Sequence, residues 1–152
     1  MSNRHILIIE DDAGIQAVTK FSLEMEGNWQ VSTAFYGQEG LIKAKSLRPD
    51  VILLDIVMPD INGLKLLKSF QAEELTNNIP IILFTARVID RDLLELNNNQ
   101  VKGIITKPFD CLTLSAKILE ILGWQYGFIF YCTYKTLAHL AYLQCAASQC
   151  YF

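Results

Sequence analysis

Three short runs of the chain are apolar without a break: Ile6-Leu7-Ile8-Ile9, Val51-Ile52-Leu53-Leu54 and Ile81-Ile82-Leu83-Phe84. Such runs fit strands buried on both faces, as in the interior of a parallel sheet. Gln30-Val31-Ser32-Thr33-Ala34 is half polar, as expected at a sheet edge, and Gly103-Ile104-Ile105-Thr106 makes a fifth strand. Between them the apolar positions change to the three-to-four spacing of helices packed on one face. The first helix has Asp12 as its N-cap, Gly27 as its stop, and Ile15, Val18, Ser22 and Met25 inward. The second spans 37–47 with Leu41, Ala44 and Leu47 inward, and Arg48-Pro49-Asp50 ends it. Asn62-Gly63 opens the third, with Leu64, Leu67 and Phe70 on one face. A weaker fourth helix covers roughly 90–96. Asp110 caps the last, with Leu112, Ser115, Ile118, Leu119 and Leu122 inward. Strand and helix alternate five times. That order predicts an α/β fold: a doubly wound, five-stranded parallel sheet with right-handed crossovers and helices on both faces.

Composition narrows the class. The chain has 152 residues, 51% apolar and 19% charged, which fits a globular domain and excludes a disordered chain. A net charge of −3 argues against a nucleic-acid surface. The charge is unevenly spread. Residues 1–122 hold twelve basic and all sixteen acidic side chains, a net −4, whereas the last thirty hold only Lys135. We therefore expect a folded domain over 1–122 and an apolar extension over 123–152. Cys111, Cys132, Cys145 and Cys150 form no C-x-x-C and no zinc spacing. Residues 1–5 run straight into a strand, unlike a signal peptide, so a reducing cytoplasm is the expected location.

The polar residues that end the strands carry the chemistry. The first strand ends in Glu10 and Asp11, the third in Asp55, the fourth in Thr85 and the fifth in Lys107. In a doubly wound sheet these ends converge on the ligand-binding crevice. Three carboxylates so close need compensating positive charge. A divalent cation and an ammonium would supply it, and oxygen-only ligands favour Mg²⁺. Taken singly, each residue has an ordinary reading. Glu10-Asp11-Asp12 suits a helix N-terminus, Thr85 a strand end, and Lys107 a solvated surface. Asp50, Asp60, Asp90 and Asp92 read as turn or cap residues, and His5 and His139 as structural.

Taken together, Ile-Leu-Ile-Ile-Glu10-Asp11-Asp12, Leu-Leu-Asp55-Ile-Val-Met58-Pro59-x-x-x-Gly63, Phe-Thr85-Ala86 and Thr-Lys107-Pro108-Phe109 resemble the receiver domain of two-component response regulators. The likeness covers residues 4–122. It implies a flavodoxin-like strand order of 2-1-3-4-5. It also implies a cytoplasmic single-domain switch rather than an enzyme acting on other substrates. Asp55 resembles the aspartate that accepts a phosphoryl group from a sensor histidine kinase or phosphotransfer protein. Glu10 and Asp11 resemble the Mg²⁺-binding acids, and the Val57 backbone carbonyl matches a further ligand. Lys107 and Thr85 resemble the groups that contact the phosphoryl oxygens. The bond between Lys107 and Pro108 matches one that is often cis in the family.

Some residues depart from the pattern. The family often has Tyr or Phe where this chain has Ile104, so an output switch that swings an aromatic ring is not expected. Val57 and Arg87 occupy positions that tune phosphoryl lifetime in the family. The extension resembles no output domain, so a downstream protein target is expected rather than direct DNA binding. Three readings of it stay open: an arm that packs on the domain or on a second copy as a homo-oligomer, an accidental extension without a role, and a segment lying on a membrane surface. Lys135 and His139 interrupt it, leaving it short of the ~20 apolar residues of a spanning helix.

The alternative function is a receiver-like binding module that works without phosphorylation. A nucleotide- or flavin-binding enzyme would need a phosphate loop after the first strand, where this chain is acidic. A haloacid-dehalogenase-like phosphatase would need a second Asp in place of Val57.

Overall fold

The computed structural model of the chain describes residues 3–86 and 99–125. Its elements are β1 (His5–Ile9), α1 (Ala13–Gly27), β2 (Gln30–Ala34), α2 (Gly37–Leu47), β3 (Val51–Leu54), α3 (Gly63–Ala72), β4 (Ile81–Thr85), β5 (Val101–Thr106), a 3₁₀ turn (Cys111–Thr113) and α4 (Leu114–Leu122). The helix expected near 90–96 and most of the extension lie outside the described residues. The five strands form one parallel sheet in the order β2-β1-β3-β4-β5, as anticipated.

The unbroken apolar runs become the middle of the sheet. Every residue of β3 and β4 is buried, as are Ile6 to Ile9 of β1. Leu41, Ala44, Leu66, Leu67 and Phe70 from α2 and α3 pack with Leu7, Ile9, Ile52, Leu54, Ile81 and Leu83 in one core cluster. Fully burying a side chain of this kind contributes roughly 1.5–3 kcal/mol. The sheet is therefore a stiff base for the residues at its carboxyl ends.

Four inward assignments, Val18, Met25, Leu47 and Leu112, need correction. In α1 the buried residues are Gln16, Thr19, Ser22 and Leu23, whereas Val18, Phe21 and Met25 are exposed. The packed face is polar because its polar groups are bonded. The Gln16 amide donates to the carbonyls of Glu10 and Ala34, and the Thr19 hydroxyl to that of Ile15. The Ser22 hydroxyl donates to the Cys111 carbonyl. Buried polar groups with partners carry little penalty. Leu47 is exposed at the end of α2, where the next residue, Arg48, turns left-handed (φ 46°). Leu112 is 68% exposed because its segment is a 3₁₀ turn, and Leu114 takes the buried place. A turn of three residues rotates the apolar face relative to an α-helix.

Candidate functional site

Backbone hydrogen bonds past the strand ends bring the expected residues together. The Glu10 N–H donates to the Ala34 carbonyl and the Asp55 N–H to the Ile9 carbonyl, both at 3.0 Å. Asp55 therefore sits beside the end of β1. The Lys107 N–H donates to the Thr85 carbonyl at 2.9 Å, which carries the β4–β5 pairing one residue further. Asp12 caps α1, accepting from the Ile15 N–H at 2.9 Å, and this starts the helix directly behind Glu10 and Asp11.

The side chains meet at this point. The Lys107 ammonium donates to Asp55 Oδ2 at 2.8 Å and also to Glu10 Oε2. The other Asp55 oxygen accepts from the Val57 N–H at 2.9 Å, which fixes the carboxylate plane. Glu10 Oε1 accepts from the Asp12 N–H at 3.2 Å. Glu10 and Asp55 are buried, and Asp11 is exposed at the mouth. Carboxylate oxygens of Glu10, Asp11 and Asp55 all lie within 4.8 Å of one another. Thr85 is fully buried at the end of β4, and Ile104 is half-buried against the core. The bond between Lys107 and Pro108 is cis.

One ammonium faces three acids. Burial pushes the Glu10 carboxyl above the usual glutamate range, and the Asp55 charge adds to this. The Lys107 and Asp12 hydrogen bonds oppose the shift without cancelling it. Burial pulls Lys107 down, but its bonds to Asp55 and Glu10 and the charges of both acids outweigh that, and its pKa stands above the usual lysine value. The lysine is firmly cationic, and among the described residues the pocket still lacks positive charge. The donor set is all oxygen, which suits a hard cation. Opposite ligands of an octahedral Mg²⁺ stand about 4.2 Å apart, so acids spread over up to 4.8 Å fit a partly hydrated ion that takes one of them through water.

Comparison with known proteins agrees with this geometry. Residues 6–119 match the family model of the response regulator receiver domain. The chain belongs to that family. Response regulator ArlR of Staphylococcus aureus is 37% identical over 120 residues, covering 79% of this chain and 53% of that protein. The chain spans about half the length of ArlR and of other curated regulators it matches. The chemotaxis protein CheY4 of Vibrio cholerae superposes with a TM-score of 0.70 at 26% identity, covering 79% of this chain and 99% of that one. The receiver domain of the sensor histidine kinase PA1611 from Pseudomonas aeruginosa superposes with a TM-score of 0.68 at 25% identity, covering 80% and 99%. That domain holds a magnesium ion coordinated in its active-site cleft. Among the described residues of this chain, no helix is long and apolar enough to cross a membrane.

Two residues at the site escaped the sequence pattern. Gln16 ties the ends of β1 and β2 together from α1, but its polarity hid it on a face expected to be apolar. Phe84 was read as the last apolar residue of its strand and as the first of the Phe-Thr85-Ala86 motif, yet its ring lies under the Lys107 ammonium.

Proposed function

We propose that the receiver domain of this chain works as a Mg²⁺-dependent phosphorylation switch with Asp55 as the acceptor. The contact of Lys107 with both Asp55 and Glu10 carries this reading, because it puts a fixed cation beside the only acid that ends the central strand β3. Phosphoryl transfer depends mainly on positioning and charge neutralisation. The Val57 N–H orients the Asp55 carboxylate, and the Lys107 ammonium stands against it as a counter-charge. A carboxylate oxygen then forms a bond to phosphorus as the N–P bond of a phosphohistidine breaks, and the imidazole leaves with that electron pair. The donor is a sensor histidine kinase or a phosphotransfer protein. Glu10, Asp11, Asp55 and the Val57 carbonyl would hold the ion, which when bound neutralises charge on the phosphoryl oxygens. Lys107 contacts those oxygens in the product, and the Thr85 hydroxyl donates to one of them. Drawing Thr85 inward changes the end of β4, and a downstream protein reads that change. With Ile104 in place of an aromatic residue, that readout works without a swinging ring. The domain boundary falls near residue 122. The stand-alone, cytoplasmic reading and self-association through residues 123–152 rest on sequence alone.

Incubation with a small-molecule phosphodonor and Mg²⁺, followed by intact mass measurement, tests the proposal. One phosphoryl group should add to the native chain and none to Asp55→Asn. Equal uptake by both, or none by either, overturns it.

A further inference from the structure

Lys107 ends in an ammonium with three N–H donors, and two of them are used on Glu10 and Asp55. The side chain is only 9% exposed, so little water reaches it. The Phe84 ring lies beneath the cation, with the ammonium 5.0 Å from its centroid. Phe84 is fully buried in β4, next to Thr85. It packs in turn on Phe109, two residues beyond Lys107, with ring centroids 4.7 Å apart and planes tilted by 57°. The negative face of an aromatic ring attracts a cation, most strongly where water is excluded. An aliphatic residue at this place would remove water from the ammonium and return nothing. A lysine stem is also long and flexible.

We propose that Phe84 is a positioning residue for Lys107: its ring face, backed by Phe109, holds the ammonium where it reaches Asp55 and Glu10 together. The inference rests on the role given to Lys107 in phosphoryl transfer. The ring does not touch the transferred group. It acts by keeping the cation aimed at the acceptor before, during and after transfer.

Two readouts separate this role from simple core filling. The first is the NMR position of the Lys107 ε-methylene protons in the unphosphorylated, metal-free chain. Protons above a ring face move upfield, so they should lie upfield of ordinary lysine and return toward the ordinary position in Phe84→Met. The second is the rate of phosphoryl uptake from a small-molecule donor. Phe84→Met keeps a large apolar side chain but loses the ring, and should slow uptake about fivefold, within the range expected for a desolvated cation–π contact. If Phe84→Met fails to fold, phenylalanines bearing one, two or three ring fluorines at position 84 serve instead. Each fluorine drains the ring face with little change in shape, and uptake should fall stepwise with fluorine number. Ordinary ε-methylene positions in the native chain, or rates unchanged across the series, overturn the proposal. Upfield protons in a native chain that takes up no phosphoryl group would uphold the lysine seat and sink the phosphorylation reading instead.

Discussion

Lys107 organises the pocket because a single buried cation serves two buried acids. Away from the pocket the fold also tolerates unmatched charge. Among the described residues, Glu26 has no basic partner. Its Oε2 accepts from the Ser115 hydroxyl at 2.9 Å, linking α1 to α4. Burial pushes its carboxyl above the usual 4.5, Asp110 pushes the same way, and the Ser115 bond opposes them. A raised folded-state pKa means that the folded chain holds the proton more tightly than the unfolded one. The resulting stability is fully present below the usual value and is lost as pH rises through the folded one. Glu26→Gln keeps an acceptor for Ser115 and removes the charge. It should therefore unfold at a higher urea concentration than the native chain at pH 7, with the gap closing toward pH 4. A gap of constant size across that range would assign the effect to packing rather than charge.

The segment between β3 and α3 shows how whole elements set the site. It follows Asp55 and carries the Val57 N–H that orients the carboxylate. Its ends are pinned where Val57 bridges Asn62 and where the Gly63 N–H approaches the Ile56 carbonyl. Gly63 is needed there, since a Cβ would lie 2.6 Å from the Ile56 Cα. The middle is pinned by Asp60. The N-cap of α2 is Tyr36, whose side chain makes no capping bond, and Asp60 Oδ2 accepts from the Gly37 N–H at 2.9 Å in its place. Asp60→Ala should cost about 1 kcal/mol, as loss of a cap does, and Asp60→Asn much less. Urea unfolding measures the cost, and faster exchange of the Gly37 amide would locate it. This contact also marks a limit of sequence reading. Asp60 is legible as a cap residue, but the helix it caps lies 23 positions upstream, and only the tertiary approach of α2 to the loop reveals it. The strands were legible because β1, β3 and β4 are apolar on both faces. The face of α1 was legible only at Ser22, because Gln16 is buried through bonds to the Glu10 and Ala34 carbonyls and Thr19 through one to the Ile15 carbonyl a turn earlier. The site acids were legible from their places at the strand ends. Phe84 was not, since nothing local distinguishes a ring under a cation from a ring in a core.

At the scale of the molecule, the first 122 residues contain what a stable domain of this class needs. Three interior strands are covered on both faces, and the two ends of the unit are joined directly. Ser22 of α1 bonds the Cys111 carbonyl, and Glu26 bonds Ser115 across 89 positions of sequence. A chain of this length buries about two-thirds of the surface it exposes when unfolded. The helix α4 then ends at Gly123, which adopts φ +64° with nothing within 4 Å of its Cβ direction, a glycine helix stop. Past it the composition changes from charged to aromatic and nearly uncharged. If the pocket and core belong wholly to the first unit, a chain ending at Leu122 should keep the unfolding midpoint and the rate of phosphoryl uptake of the full chain. Extended apolar surface favours association when it is uncovered. Light scattering should then find the shortened chain as a monomer and the full chain as a larger species. Identical masses would remove self-association as the role of residues 123–152, and a lower midpoint in the shortened chain would show instead that those residues complete the core.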